Sequence, residues 1–285
     1  GHGVSTNATV SSDGSCQQVC TCWIPTADVE RVAPTTIEGV ELSMEALSEL
    51  LDGTAARERL GTFVTQYLAW IDAQQANIPT SPARRKETAE ELLRRARTAA
   101  NRIEAGIASL NDPQVLEAFR VANRAMAMAA RRRFGTIQGK DPGTIDPPRW
   151  RPFQLAFILM NLPGIVDPRQ ADREVVDLLF FPTGGGKTEA YLGLAAFTLV
   201  LRRLRNPGIS SAGLSVLMRY TLRLLTLDQL SRAATLICAL ELERRKPESH
   251  LGPWPFEIGL WVGKAATPNR MGKKGDNDSS SARTK

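Results

Sequence analysis

Little in this sequence supports a secreted, disulfide-stapled or membrane-spanning protein. Only four cysteines occur in 285 residues, far too few for a disulfide scaffold in a chain of this length, so a reducing cytoplasm is the expected setting. No run of 18 apolar residues occurs, which excludes a spanning helix of the usual kind. No signal peptide follows Gly1-His2-Gly3, a start that reads as a tag remnant. No internal repeat is visible. No Asp-Glu dipeptide occurs after Thr188.

What is present is a chain able to bury a core. Hydrophobic residues make up 42% of it, and the formal net charge is +6. The charge is uneven: residues 1–52 hold eight acidic side chains and one basic, so the rest of the chain carries the positive excess. A basic body fits a nucleic-acid-binding domain, and it fits equally well a solvated, arginine-rich helical surface. The clusters Arg84-Arg85-Lys86, Arg94-Arg95-Arg97 and Arg131-Arg132-Arg133 carry the same two readings: contacts to nucleic acid or a partner subunit, or solvated helix faces.

Along the chain, residues 1–41 are rich in Ser, Thr, Gly and Pro and read as a flexible lead-in. Residues 42–134 have helical periodicity throughout. Leu42, Ala46, Leu47, Leu50 and Leu51 form one stripe, which Gly53 is expected to end. Leu60, Phe63, Val64, Tyr67, Leu68 and Ile71 form a second, over residues 55–76. Ser81-Pro82 starts a long charged helix whose seam is Leu92, Leu93, Ala96, Ala99, Ala100, Ile103 and Ile107. Asp112-Pro113 starts another, whose Met126 reads as packing. Residues 135–148, with three glycines and three prolines, read as a linker. Residues 149–271 then alternate between strand-like and helical patterns. Apolar runs at 175–181, 214–220 and 256–262 predict buried parallel strands, with helices at 188–204 and 224–245 between them. The expected fold is therefore α/β, a partial parallel sheet with helices on it, preceded by an all-helical module. The tail 272–285 reads as disordered.

Chemistry is most legible at Pro182-Thr183-Gly184-Gly185-Gly186-Lys187-Thr188-Glu189. A strand, a glycine-rich turn and a helix in that order make a phosphate-binding loop. Glycines let several backbone N–H groups turn inward toward phosphate oxygens. The helix N-terminus adds the positive end of its dipole. The Lys187 ammonium reaches the outer phosphates, and the Thr188 hydroxyl can ligate Mg²⁺. The general pattern has Gly where this chain has Phe181. The competing account is a glycine-rich turn with no ligand. By itself the loop says only that ATP or another nucleotide binds.

Two flanking segments carry a family resemblance. Residues 182–189 resemble motif I of superfamily 2 helicases, the RecA-like P-loop motors. Arg151-Pro152-Phe153-Gln154 resembles that superfamily's Arg-Pro-Tyr-Gln element, whose Gln reads the adenine edge. Thr221-Leu222-Arg223-Leu224-Leu225-Thr226-Leu227-Asp228-Gln229 is similar to motif Ia, with a basic residue six positions before the Gln. Residues 153–162, the phrase around Arg219-Tyr220, Gly259–Gly263 and Thr267-Pro268-Asn269 together resemble the helicase subunit of DISARM, a bacterial anti-phage system. The likeness covers roughly residues 110–270, an N-terminal part of such a protein.

The resemblance implies a RecA-like ATP-binding domain at 149–271, with ATP and Mg²⁺ as cofactors. It implies nucleotide-binding roles for Arg151, Gln154, Thr183, Gly184, Gly185, Gly186, Lys187, Thr188 and Glu189, with Lys187 and Thr188 catalytic. It implies nucleic-acid contacts, to DNA rather than RNA, from Arg219, Tyr220, Arg223, Gln229 and Thr267, and a partner subunit in a defence complex. Asn269 stands where a Thr-Pro-Gly-Arg motif would have Gly, which weakens that last match. The family's Asp-Glu pair and second motor domain are absent, so this chain alone is expected to be inactive. Two other accounts stay open: a non-catalytic scaffold whose loop binds ATP to hold a shape, and a P-loop NTPase unrelated to nucleic acid. Cys16, Cys20 and Cys22 lie close together and could hold zinc only with a fourth ligand from Cys238, His250 or His2. Free thiols are the alternative, with Cys238 buried in a helix.

Overall fold

A computed structural model describes residues 6–21, 37–180, 184–219 and 223–261. The chain divides into two units, Gly1–Pro34 and Thr35–Lys285. In the first, β1 (Thr6–Val10) pairs antiparallel with β2 (Cys16–Thr21), with an irregularity in register at Thr9/Val10. The β2 residues are exposed, Cys16 and Cys20 among them. Cys22 lies outside the described residues. No group of three metal-ligating side chains occurs among those described.

The second unit is helical: α1 (Met44–Ser48), α2 (Gly53–Gln75), α3 (Ala83–Ser109), α4 (Pro113–Gln138), α5 (Pro152–Val166), α6 (Lys187–Arg205) and α7 (Arg223–Arg244). The starts of α1, α2 and α4 follow from side-chain acceptors that satisfy the first free N–H groups. Ser43 caps α1. Asp52 accepts from Ala55 N at 2.8 Å, so Gly53 opens α2 instead of closing the preceding stripe. Asp112 caps α4 through Gln114 N and Val115 N, with Pro113 at the first helical position. α4 then runs on through Gly135 and ends at Gly139, whose φ of 63° suits a helix terminus. Part of the expected linker is therefore helix. In α3 only the second half of the seam is buried, from Ala100 onward, while Leu92 is exposed.

The core gathers around α4, which buries Val115, Leu116, Ala118, Phe119, Val121, Ala122, Ala125, Met126 and Ala127 on more than one face, as a central helix must. α4 packs on α1, α6 and α7, and α3 packs on α2 and α5. The α3–α5 crossing is close: a Cβ on Gly106 would stand 1.9 Å from Leu159 O, so only glycine fits there. Buried Asn123 is fully used, donating from Nδ2 to Phe119 O and accepting from Trp150 Nε1, both at 2.8 Å. Trp150, itself buried, thereby fixes the start of α5 against α4.

The expected α/β fold, a RecA-like parallel sheet, is not what the chain forms. Among the described residues the only sheet is the β1–β2 hairpin. Residues 175–180 form no strand: Val176, Leu178 and Phe180 are 94%, 85% and 90% exposed, and Phe180 N–H bonds back to Leu178 O in a tight turn. Residues 214–219 and 256–261 are likewise not strands. An apolar run signals a preference for extended backbone, but a parallel strand exists only where neighbours supply its hydrogen bonds. These runs are held by side chains from helices instead. Arg102 of α3 donates to both oxygens of Asp177, at 2.6 and 2.7 Å, and to Asp172 at 2.9 Å. Arg203 of α6, buried against the Phe256 ring at 4.8 Å, donates to Ser211 Oγ and Pro255 O. Burial pulls its guanidinium below the ordinary arginine range. Glu241 of α7 accepts from Phe256 N–H and from Arg244 and Arg245, and its bonds to Arg244 lower its carboxyl from 4.5 to about 2. No helix among the described residues is long and apolar enough to cross a membrane.

Candidate nucleotide loop

The loop sits at a meeting of four helices. Gly184 and Gly186 have φ of 81° and 86°, in the left-handed region that favours glycine. A Cβ on Gly186 would stand 2.7 Å from Gln154 Nε2 and 3.4 Å from Glu189 Oε2, so this position requires glycine on steric grounds as well. Lys187 then opens α6, and no side chain from the residue before it caps the helix. Leading N–H groups at such a start are suited to an anion.

The loop's shape is held from its outer side by α5. Arg151 Nη1 donates to Gly185 O at 2.6 Å, and Gln154 Nε2 donates to Gly186 O at 2.7 Å. Gln154 Oε1 accepts from the Arg151 N–H at 2.7 Å. Gln154 is only 4% exposed, and both amide atoms are engaged. Bonding two loop carbonyls outward leaves the N–H side of the turn facing the other way. The structure thus brings Arg151, Gln154, Gly184, Gly185, Gly186, Lys187, Thr188 and Glu189 into one place. Thr183 lies outside the described residues, as do Phe181 and Pro182.

Glu189, on the first turn of α6, faces two arginines the sequence reading did not assign to the loop. Arg133 of α4 donates from Nη1 to Glu189 Oε1 at 3.0 Å, and Arg232 of α7 donates from Nη2 to the same oxygen. Glu189 Oε2 is buried without a hydrogen-bond partner, alone in this among the described residues. Arg133 was visible only as part of a basic cluster. Arg232 carried no local signal, because the contact spans 43 residues of sequence.

The expected nucleic-acid contacts are less fully placed. Arg219 is exposed on the segment before α7. Arg223 is the first residue of α7, and Gln229 lies in its second turn, donating to Asp228 at 3.2 Å. Tyr220 and Thr267 lie outside the described residues. Cys238, expected in a buried position, is exposed on α7. The other basic clusters are engaged in part: Arg94 and Arg95 both pair with Glu91, Arg97 pairs with Asp72, and Arg131 pairs with Glu45.

No protein-family model matches the chain. It is 36% identical over 250 residues to the DISARM protein DrmA of Bacillus paralicheniformis, an alignment that covers 83% of this chain and 22% of that protein. The chain therefore spans well under a third of the length of the curated relative. Over the aligned stretch, this chain is a relative of the DISARM protein DrmA.

Proposed function

We propose that this chain is the ATP-binding part of a superfamily 2 helicase or translocase acting in phage defence, with Lys187 contacting the outer phosphates and Thr188 holding Mg²⁺. One observation carries the reading. Two left-handed glycines precede an α-helix whose first residues are Lys187-Thr188, and Arg151 and Gln154 bond the turn's carbonyls from behind. Backbone N–H groups at the start of α6 and the Lys187 ammonium would together hold an oligophosphate. The residues present fit the ATP–Mg²⁺ group on this ground. When bound, the metal would neutralise phosphate charge, while the chain's own part is to seat and orient the phosphates.

The relationship to DrmA supports the defence setting and a protein partner. Arg219 and Arg223, near the start of α7, are the proposed DNA-backbone contacts. Equilibrium dialysis with labelled ATP and Mg²⁺ tests the reading. Saturable binding competed by ADP but not by AMP supports a cradle for oligophosphate. Equal competition by AMP, or no binding, overturns it.

A further inference from the structure

A glutamate in the third position of a helix is an unusual neighbour for a phosphate cradle. In the ordinary capping arrangement that side chain reaches back to the N–H groups at the helix start. In a phosphate loop those N–H groups are the ones the ligand needs, so a free Glu189 would be a built-in competing anion. Here it does not reach back. Its Oε1 is taken by Arg133 from α4 and Arg232 from α7, and its Oε2 remains buried, without a partner, beside Gly186. Leaving a carboxylate oxygen unsatisfied is unfavourable, so the arrangement needs something that holds Glu189 away from the nearest donors. The two guanidinium groups do that.

We infer that Arg133 and Arg232 are positioning residues that clamp Glu189 out of the phosphate loop and keep its N–H groups open for ligand. The inference rests on the nucleotide reading above and adds to it a link between the loop and two other helices. Because α4 and α7 each supply one arm, any shift of either helix relative to α6 loosens the clamp. Glu189 then turns onto the loop and expels phosphate. Loop occupancy and the packing of α4 and α7 on α6 are in this way coupled through one carboxylate.

The test is a rescue experiment with two readouts. Affinity for a fluorescent ATP analogue with Mg²⁺ is measured for the parent, for the double variant Arg133→Ala/Arg232→Ala, and for that variant with Glu189→Ala added. The double variant is expected to bind about tenfold more weakly, and the triple variant to recover most of the loss. Amide hydrogen exchange at residues 184–188 is followed in the same proteins without nucleotide. It should slow in the double variant, where Glu189 caps the loop, and return to the parent rate in the triple. A triple variant as weak as the double, or loop exchange indifferent to the arginines, overturns the clamp. If the parent binds no nucleotide, the ATP reading fails, and the exchange arm still decides the clamp. Should the double variant not fold, Arg133→Ala and Arg232→Ala are measured singly, each removing one arm on Glu189 Oε1: each should bind more weakly and slow exchange at residues 184–188. Parent-like binding and exchange in both would overturn the inference.

Discussion

Gly186→Ala makes the sharpest demand on the loop geometry. At φ of 86° an L-residue costs about 1–2 kcal/mol. Its new Cβ would also stand 2.7 Å from Gln154 Nε2, closer than real contacts allow. Gln154 is buried and bonded at both ends, to Gly186 O and to Arg151 N–H, so it cannot rotate away without leaving a buried amide unsatisfied, a loss of about 1–3 kcal/mol. Together these destabilise by about 2–5 kcal/mol, or roughly 5–15 °C in Tm for a domain of this size. Gly184→Ala is the control. Its φ of 81° carries the same backbone cost, but nothing lies within 4 Å of its Cβ, so the loss should stop at about 1–2 kcal/mol. Calorimetric melting of parent and both variants checks this. Equal melting temperatures for the two variants would refute the packing of Gln154 against the loop, and an unchanged Gly186→Ala would refute the left-handed turn itself.

Two further outcomes follow from the helical core. Gly106→Ala sets a Cβ against the Leu159 backbone, which no rotamer change relieves. It should destabilise by about 1–3 kcal/mol despite the ~1 kcal/mol that alanine normally adds to a helix, and a chemical denaturation midpoint at or above the parent's would contradict the α3–α5 crossing. Glu241 has its folded-state carboxyl lowered from 4.5 to about 2, chiefly by Arg244. A depressed carboxyl contributes stability above its unfolded value and loses it as pH falls toward its folded one. The stability gap between parent and Glu241→Gln should therefore be full at pH 6, shrink below pH 4.5 and close near pH 2, as read by melting temperature across that range; a gap constant with pH would remove Glu241 from the hold on residue 256.

What the sequence revealed and what it hid divide by the range of the interaction. Helices were legible because their signals are local: apolar residues at helical spacing in α2 and α4, and Asp112-Pro113 at the start of α4, whereas the cap at Asp52 was passed over for Gly53 as a stop. The glycines of the loop were legible because positive φ leaves a residue-type signature. The sheet was misjudged because residues 175–180 look like a strand in isolation, while pairing depends on neighbours that no local pattern reports. Gln154 was found by its place after Arg151-Pro152-Phe153, but its motif does not say that its amide is spent on Gly186 O and Arg151 N–H. Arg232 and Arg133 were missed as loop residues because they reach Glu189 across 43 and 56 positions. The Asn123–Trp150 bond was hidden for the same reason.

Lys187→Ala decides whether the turn before α6 is a phosphate cradle. The substitution removes the Lys187 ammonium from the start of α6 while leaving the backbone N–H groups in place. Hydrogen bonds to charged groups are worth about 1.5–3 kcal/mol, so affinity for an ATP analogue with Mg²⁺ should fall by roughly ten- to a hundredfold. Equal affinity in variant and parent would contradict the account and leave the turn a purely structural one.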